Sequence, residues 1–287
     1  MNEIQEHVCL NGRLVHRDRA RISPLGEGFM FGRGLFETVK VLAGRPLFLG
    51  DHLGRLGRSA GPLGLAADPG KIEARCRRVI SANRLRGGNL KIVLFQDTRG
   101  TGELIIARKG HYPEARYARG FRLMTIADER AAGSVAQFKT LNYLANSLAR
   151  RRAHAAGFDE ALFVGAGGRV LEGSGSSVFA VEAGRVLTPP LGRGILPGVA
   201  RARALGLLGS GRSRATALTL DRLLGADEVF VTNALLGVMP VSRVDGRRYN
   251  LRRNPVTRSL QAAYREAESA ESCQARTRRA RNSSAGT

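Results

Sequence analysis

The dipeptide Asn11-Gly12, set between the apolar runs Val8 to Leu10 and Arg13 to Val15, most constrains how this chain begins to fold. Asn-Gly accepts the left-handed backbone that a tight turn needs, so two paired antiparallel strands are expected there. Short strand-like runs separated by glycine continue from that point. Leu35 to Leu42 reads as a strand that reaches Gly44 and returns as Pro46-Leu47-Phe48-Leu49. A helix is expected from Asp51, with Asp51 as its cap and Leu53, Leu56 and Ala60 on one face. Pro69 to Asn83 predicts a second helix. Leu90 to Phe95 and Glu103 to Ala107 predict two strands around the loop Thr98-Arg99-Gly100-Thr101-Gly102. The first half thus reads as a compact α+β unit.

A change of pattern around Tyr112-Pro113 places a boundary near residues 112 to 122. Beyond it, Asn142 to Ala156 predicts a helix, and Glu160 to Val164, Arg169 to Glu172 and Ser177 to Val181 predict strands. A hairpin at Ala183-Gly184 leads to Val186-Leu187. Thr188-Pro189-Pro190-Leu191 must be a loop, because adjacent prolines stop both regular structures. Helices are expected over Gly198 to Leu208, Asp221 to Leu224 and Pro255 to Tyr264, and strands over Val229 to Val231 and Val238 to Val241. The polar end of the chain has few large apolar groups and reads as disordered. The expected organisation is a smaller N-terminal α+β domain over 1–116, a larger C-terminal α/β domain over 117–265, and a disordered tail over 266–287.

Composition narrows the function classes. A chain of 287 residues has ample length for a buried core. Its three cysteines, Cys9, Cys76 and Cys273, are far apart with no CxxC pair, which argues against a zinc ribbon or disulfide framework and fits a reducing compartment. No secretory signal is readable in Met-Asn-Glu-Ile-Gln-Glu-His, and no apolar run reaches the about 18 residues of a membrane span, so a cytoplasmic protein is expected. The formal net charge of +22 suggests nucleic acid first. The excess is spread over the body, as in Arg13, Arg17, Arg19, Arg21 and Arg150 to Arg152, and no tryptophan is present to stack on bases. Attraction of an anionic small substrate is the more economical use of the charge.

Two residues carry the chemistry. Lys139 sits in Phe138-Lys139-Thr140-Leu141-Asn142-Tyr143-Leu144, and Glu172 opens Glu172-Gly173-Ser174-Gly175-Ser176-Ser177 at a strand end. A reactive amine can form a Schiff base with the aldehyde of pyridoxal phosphate. A lone carboxylate can keep the pyridine nitrogen protonated so that the ring withdraws electrons. Neither residue means much alone; the weight lies in their order and in the segments around them. Gly198-Val199-Ala200-Arg201 opens a helix whose free amides can converge on an anion. Thr232-Asn233-Ala234-Leu235 is a strand-end loop that can add more, and Arg55 near His52 can supply a fixed cation.

Together these segments resemble the class IV aminotransferases, the fold-type IV pyridoxal phosphate enzymes. The matching stretches are Phe31-Gly32-Arg33-Gly34-Leu35-Phe36-Glu37-Thr38, His52-Leu53-Gly54-Arg55-Leu56, Lys139 to Tyr143, Asp159 to Leu162, Glu172-Gly173-Ser174, Thr188 to Leu191, Ile195 to Val199 and Ala226 to Phe230. They run in unbroken order over about residues 8 to 262. The resemblance implies a two-domain, D-amino-acid aminotransferase-like fold of α+β and α/β character, a homodimer, and pyridoxal 5'-phosphate held near the domain boundary. It makes Lys139 the Schiff-base lysine and Glu172 the partner of the pyridine nitrogen. Tyr143 would touch the phenolic oxygen and Leu196 would pack on the ring. Arg55 and the amides of Val199, Ala200 and Ala234 would hold the phosphate.

Ala200 and Ala234 stand where many transaminases of the family carry a hydroxyl on the phosphate, so weaker cofactor retention is expected. Arg33 is also unusual, since aspartate is common between the two glycines. Within the family, Thr38 after Phe36-Glu37 and the run Asn233 to Val241 resemble aminodeoxychorismate lyases, which eliminate pyruvate from 4-amino-4-deoxychorismate to give 4-aminobenzoate for folate. Thr38 would sit by the substrate as a catalytic proton relay, with Arg99 a candidate for a carboxylate. The alternative is a transaminase acting on D-amino or branched-chain amino acids.

Overall fold

Asn11 and Gly12 both adopt positive φ, 49° and 83°. They turn β1 (Glu3–Leu10) tightly into β2 (Arg13–His16), with Leu10 opposite Arg13. The structure, a computed structural model, describes residues 3–127, 135–192 and 194–283. Its contacts divide the chain into two units. One comprises Met1–His111, Lys139–Asn142 and Arg265–Thr287; the other comprises Tyr112–Phe138 and Tyr143–Tyr264.

The first unit adds β3 (Gly34–Leu42), β4 (Arg45–Pro46), β5 (Gly88–Asp97) and β6 (Gly100–Lys109), with helices α1 (Glu27–Met30), α2 (Leu49–Ala60) and α3 (Pro69–Ala82). The strands form one antiparallel sheet in the order β2-β1-β6-β5-β3-β4. Period-two alternation puts Leu35, Glu37, Val39 and Val41 of β3 on one face, and all four are buried. Leu53, Leu56 and Ala60 are buried on α2, as their helical spacing predicts. Each fully buried aliphatic side chain contributes roughly 1.5–3 kcal/mol.

Three local expectations change. The helix starts at Leu49 after Phe48, whose φ of 53° breaks the returning strand, so Asp51 lies in the first turn and does not cap. The return strand is therefore only Arg45–Pro46. Asp97 pairs with Gly100, so Thr98 and Arg99 alone make that hairpin turn and the glycines belong to the strand.

The second unit contains α4 (Glu114–Arg119), β7 (Phe121–Ala127), α5 (Leu144–Ala155), β8 (Glu160–Gly165), β9 (Arg169–Gly173), β10 (Ser177–Glu182) and β11 (Arg185–Thr188). It continues with α6 (Val199–Leu208), β12 (Ser213–Ala215), α7 (Leu220–Gly225), β13 (Glu228–Asn233), β14 (Gly237–Val244), β15 (Arg247–Arg248) and the start of α8 (Pro255–Ser283). The strand order is β12-β11-β10-β13-β14-β7-β8-β9, with β15 on β14. β7 pairs in parallel with both β14 and β8, and the second of these connections passes through α5. Val178, Ala180, Val229, Val231, Met239 and Val241 build the core of this sheet.

The division of the chain falls after His111, which gives α4 to the second unit instead of leaving residues 112–116 with the first. Lys139–Asn142 belongs to the first unit because it pairs with β3: Thr140 bridges Leu35, and the Leu141 N–H donates to Gly34 O at 3.0 Å. The tail departs further from expectation. Beyond Tyr264 the chain continues as α8 to Ser283, while residues 284–287 lie outside the described residues. Its alanines, glutamates and arginines are strong helix formers extending an already nucleated helix. Glu268, 6% exposed, also ties it to β3 through Lys40 Nζ at 2.7 Å.

Candidate active site

Backbone pairing places Lys139. Its carbonyl accepts the N–H of Phe36 at 2.8 Å, which docks the lysine segment onto β3. A Cβ at Gly34 would meet Leu141 Cδ1 and Leu94 O at 2.6 Å, so glycine is what allows this close approach. The half-buried Lys139 brings Nζ to 4.4 Å from the centroid of the Phe36 ring. Lys91, directly opposite Thr38 on β5, brings its own Nζ to 4.5 Å from the same ring. Burial, helped by the charge of Arg108, pushes the Lys91 ammonium below the ordinary lysine range. Thr38 follows Phe36 by one strand period and shares its face of the sheet.

Arg55 lies toward the other face. Its Nε donates to Glu37 Oε1 at 2.7 Å and its Nη2 to Glu37 Oε2 at 2.6 Å, a bidentate pair. His52 Nδ1 also lies 2.8 Å from Glu37 Oε2. Burial would raise the Glu37 pKa. The Arg55 charge and the hydrogen bonds from His52 and Arg55 outweigh it, and hold the carboxyl at about 2.

In the second unit Glu172 stands near the end of β9, 6% exposed, and its Oε2 accepts the Leu196 N–H at 3.1 Å. The turn that follows is heavily supported. Tyr143 Oη donates to Ser174 O at 2.6 Å, and Asn146 Nδ2 donates to the same carbonyl at 3.0 Å. Ser174 Oγ donates to the buried carboxylate of Glu160, and Arg150 Nε donates to Ser174 Oγ at 3.2 Å. Burial pushes the Tyr143 phenol up to about 12, so it is neutral at physiological pH.

Val199 and Ala200 begin α6 behind Gly198, which offers no side-chain cap, so their amides are presented at the helix start. A Cβ on Gly198 would lie 2.9 Å from Ser177 Oγ. Ala234 sits in the turn between β13 and β14. Asn233 Oδ1 accepts the Leu235 and Leu236 amides at 2.9 and 2.8 Å, and its Nδ2 donates to Gly175 O at 3.0 Å. The Ala234 turn is therefore tied to the turn after Glu172.

Within the first unit the structure gathers Lys139 and Thr38 around Phe36 and sets Arg55 apart on Glu37. Within the second it joins Glu172 to Leu196 and links Tyr143 and the Ala234 turn to Ser174 and Gly175. Arg99 is exposed at a hairpin tip. Arg33 is pinned by Leu63 O at 3.0 Å and by Glu27 at 2.6 Å. Sequence reasoning missed Glu37 and Glu160 as organisers. Each is an acid set directly against apolar strand residues, Leu35-Phe36-Glu37 and Glu160-Ala161-Leu162, and such an acid signals a buried partner.

An amine beside a ring and a buried guanidinium in the first unit, and a buried carboxylate and a helix start with open amides in the second, are group types that can serve pyridoxal phosphate. The family model "Amino-transferase class IV" matches residues 34–244. The chain belongs to the class IV aminotransferases. This class IV enzyme is 29% identical to the D-alanine aminotransferase of Bacillus licheniformis over 278 residues, covering 89% of this chain and 95% of that one. It is 28% identical to the aminodeoxychorismate lyase of Bacillus subtilis (strain 168) over 280 residues, covering 90% and 94%. Its fold matches the T.th. branched-chain amino acid aminotransferase complexed with N-(5'-phosphopyridoxyl)-L-glutamate, with a TM-score of 0.84, 26% identity and coverage of 93% and 95%. The class IV enzyme uses pyridoxal 5'-phosphate, and its fold is that of fold-type IV. Among the described residues no helix is long and apolar enough to cross a membrane.

Proposed function

We propose that this enzyme is a 4-amino-4-deoxychorismate lyase, releasing pyruvate and 4-aminobenzoate for folate synthesis. The reading rests first on Thr38, which shares a sheet face with Phe36, the ring that Lys139 Nζ approaches to 4.4 Å. A hydroxyl on that face can relay a proton to a leaving group, a step that simple transamination does not require. The partly desolvated Lys91 opposite Thr38 and the net charge of +22 favour a substrate carrying carboxylates. Similarity to the Bacillus subtilis aminodeoxychorismate lyase supports the same reading.

In this account Lys139 is the covalent anchor and then the base that takes a proton from the substrate carbon. Glu172, aimed by the Leu196 amide, keeps a proton on the pyridine nitrogen. Tyr143 would meet the phenolic oxygen and Leu196 would pack on the ring. Arg55 and the amides of Val199, Ala200 and Ala234 would hold the phosphate. The bound cofactor supplies the aldehyde and the electron-withdrawing ring. Loss of the substrate proton and cleavage of its ether C–O bond release enolpyruvate, which gains a proton to become pyruvate, while the ring becomes aromatic.

We further infer a cytoplasmic homodimer. Leu25, Phe29, Met30 and Phe31 are 78, 64, 57 and 70% exposed, an apolar cluster that suits a second copy of the chain. A transaminase acting on D-amino or branched-chain amino acids is the second reading. It is favoured by the likeness to D-alanine aminotransferase and to a branched-chain aminotransferase fold. Incubating the purified enzyme with aminodeoxychorismate, and separately with D-alanine or L-leucine plus 2-oxoglutarate, separates the two. Aminobenzoate in the first mixture supports the lyase. Rapid glutamate formation in the second, without aminobenzoate in the first, supports the transaminase.

A further inference from the structure

We infer that Glu37 is a positioning residue for the cofactor phosphate, acting through Arg55, with His52 as the second support of the same carboxylate. The inference rests on the proposal that Arg55 holds the phosphate. Glu37, His52 and Arg55 are 1, 2 and 6% exposed, so the three polar groups lie together out of water. A buried arginine on a helix has several rotamers and a large entropy to lose. Here the carboxylate takes the Nε–Nη2 edge side-on, at 2.7 and 2.6 Å, which fixes the plane of the guanidinium. Glu37 is itself fixed by β3 and by His52 at 2.8 Å. Its carboxylate only accepts, so His52 Nδ1 donates the hydrogen bond between them.

Glu37 also changes the charge that the phosphate meets. Alone, Arg55 would be a buried cation, costly in the cofactor-free protein. Paired, it forms a hydrogen-bonded unit of low net charge that can exist before the cofactor arrives. A phosphate then gains directed hydrogen bonds from a guanidinium that needs no reorganisation. The guanidinium is thereby set in place for a phosphate before one binds.

The test compares pyridoxal phosphate with pyridoxal, which lacks only the phosphate. Dissociation constants for both are measured on cofactor-free wild type, Glu37→Gln, Glu37→Asp and Arg55→Lys, each checked for folding by circular dichroism. The expected result is a loss of phosphate preference, the ratio of the two constants, by tenfold or more in Glu37→Gln and Arg55→Lys. Glu37→Asp keeps the charge but shortens the reach, and is expected to fall between wild type and Glu37→Gln. It also carries the test if Glu37→Gln does not fold. A purely structural Glu37 lowers the melting temperature without changing the ratio. Unchanged preference in the Glu37 variants, with loss in Arg55→Lys, overturns the inference alone. Unchanged preference in Arg55→Lys overturns the phosphate role of Arg55 and the inference with it.

Discussion

Glu172 Oε2 accepts the backbone N–H of Leu196 at 3.1 Å, so the residue proposed to face the pyridine nitrogen is held by the loop that leads into α6. Glu172→Gln keeps the size but loses the charge that favours a protonated ring. Turnover is expected to fall about 100-fold or more while the cofactor stays bound. Steady-state kinetics together with the visible cofactor band check both halves.

Lys139→Ala removes the amine that approaches Phe36 at 4.4 Å. The visible band of covalently held cofactor is expected to disappear, with circular dichroism unchanged. Persistence of the band would assign the anchor to another lysine, with Lys91 the nearest candidate by its 4.5 Å approach to the same ring.

Ala234→Ser restores a hydroxyl at the half-buried turn proposed to meet the phosphate. A new hydrogen bond to an anion is worth ~1.5–3 kcal/mol, so cofactor affinity is expected to rise about ten- to hundredfold. Equilibrium dialysis against free pyridoxal phosphate measures it.

Glu37 sets an acid limit on stability. Its folded pKa, held at about 2, lies below the ordinary 4.5. The folded state therefore binds the proton less readily than the unfolded chain. The stabilisation is complete above about pH 4.5 and is lost as the pH falls toward 2. Urea midpoints of wild type and Glu37→Gln are expected to converge over that range.

Glu160→Leu leaves Ser174 Oγ without its carboxylate acceptor and removes the acid 3.8 Å from Arg150 Nε. A stability loss on the order of 1–3 kcal/mol is expected, with weakened order in the turn after Glu172. Chemical denaturation gives the first, and amide exchange of Ser174 to Ser176 gives the second.

Local signals made much of the fold legible. Asn11-Gly12 demanded a hairpin, and the spacing of Leu53, Leu56 and Ala60 demanded a helix face. Strand β7 escaped because its partners are parallel and no turn residue marks its pairing. The helical tail escaped because composition alone does not reveal the anchor between Lys40 and Glu268. At the site, Lys139 and Glu172 stood out by chemical type and order. Glu37 was passed over as part of a motif, since its meaning depends on Arg55 arriving from a separate helix.

The lyase account is tested most directly by following pyruvate and 4-aminobenzoate when the enzyme acts on aminodeoxychorismate with no 2-oxo acid added. An elimination needs no amino acceptor, so the two products are expected in equal amounts over many turnovers. A reaction that stops after one turnover per site, and resumes only when 2-oxoglutarate is supplied and becomes glutamate, would contradict it.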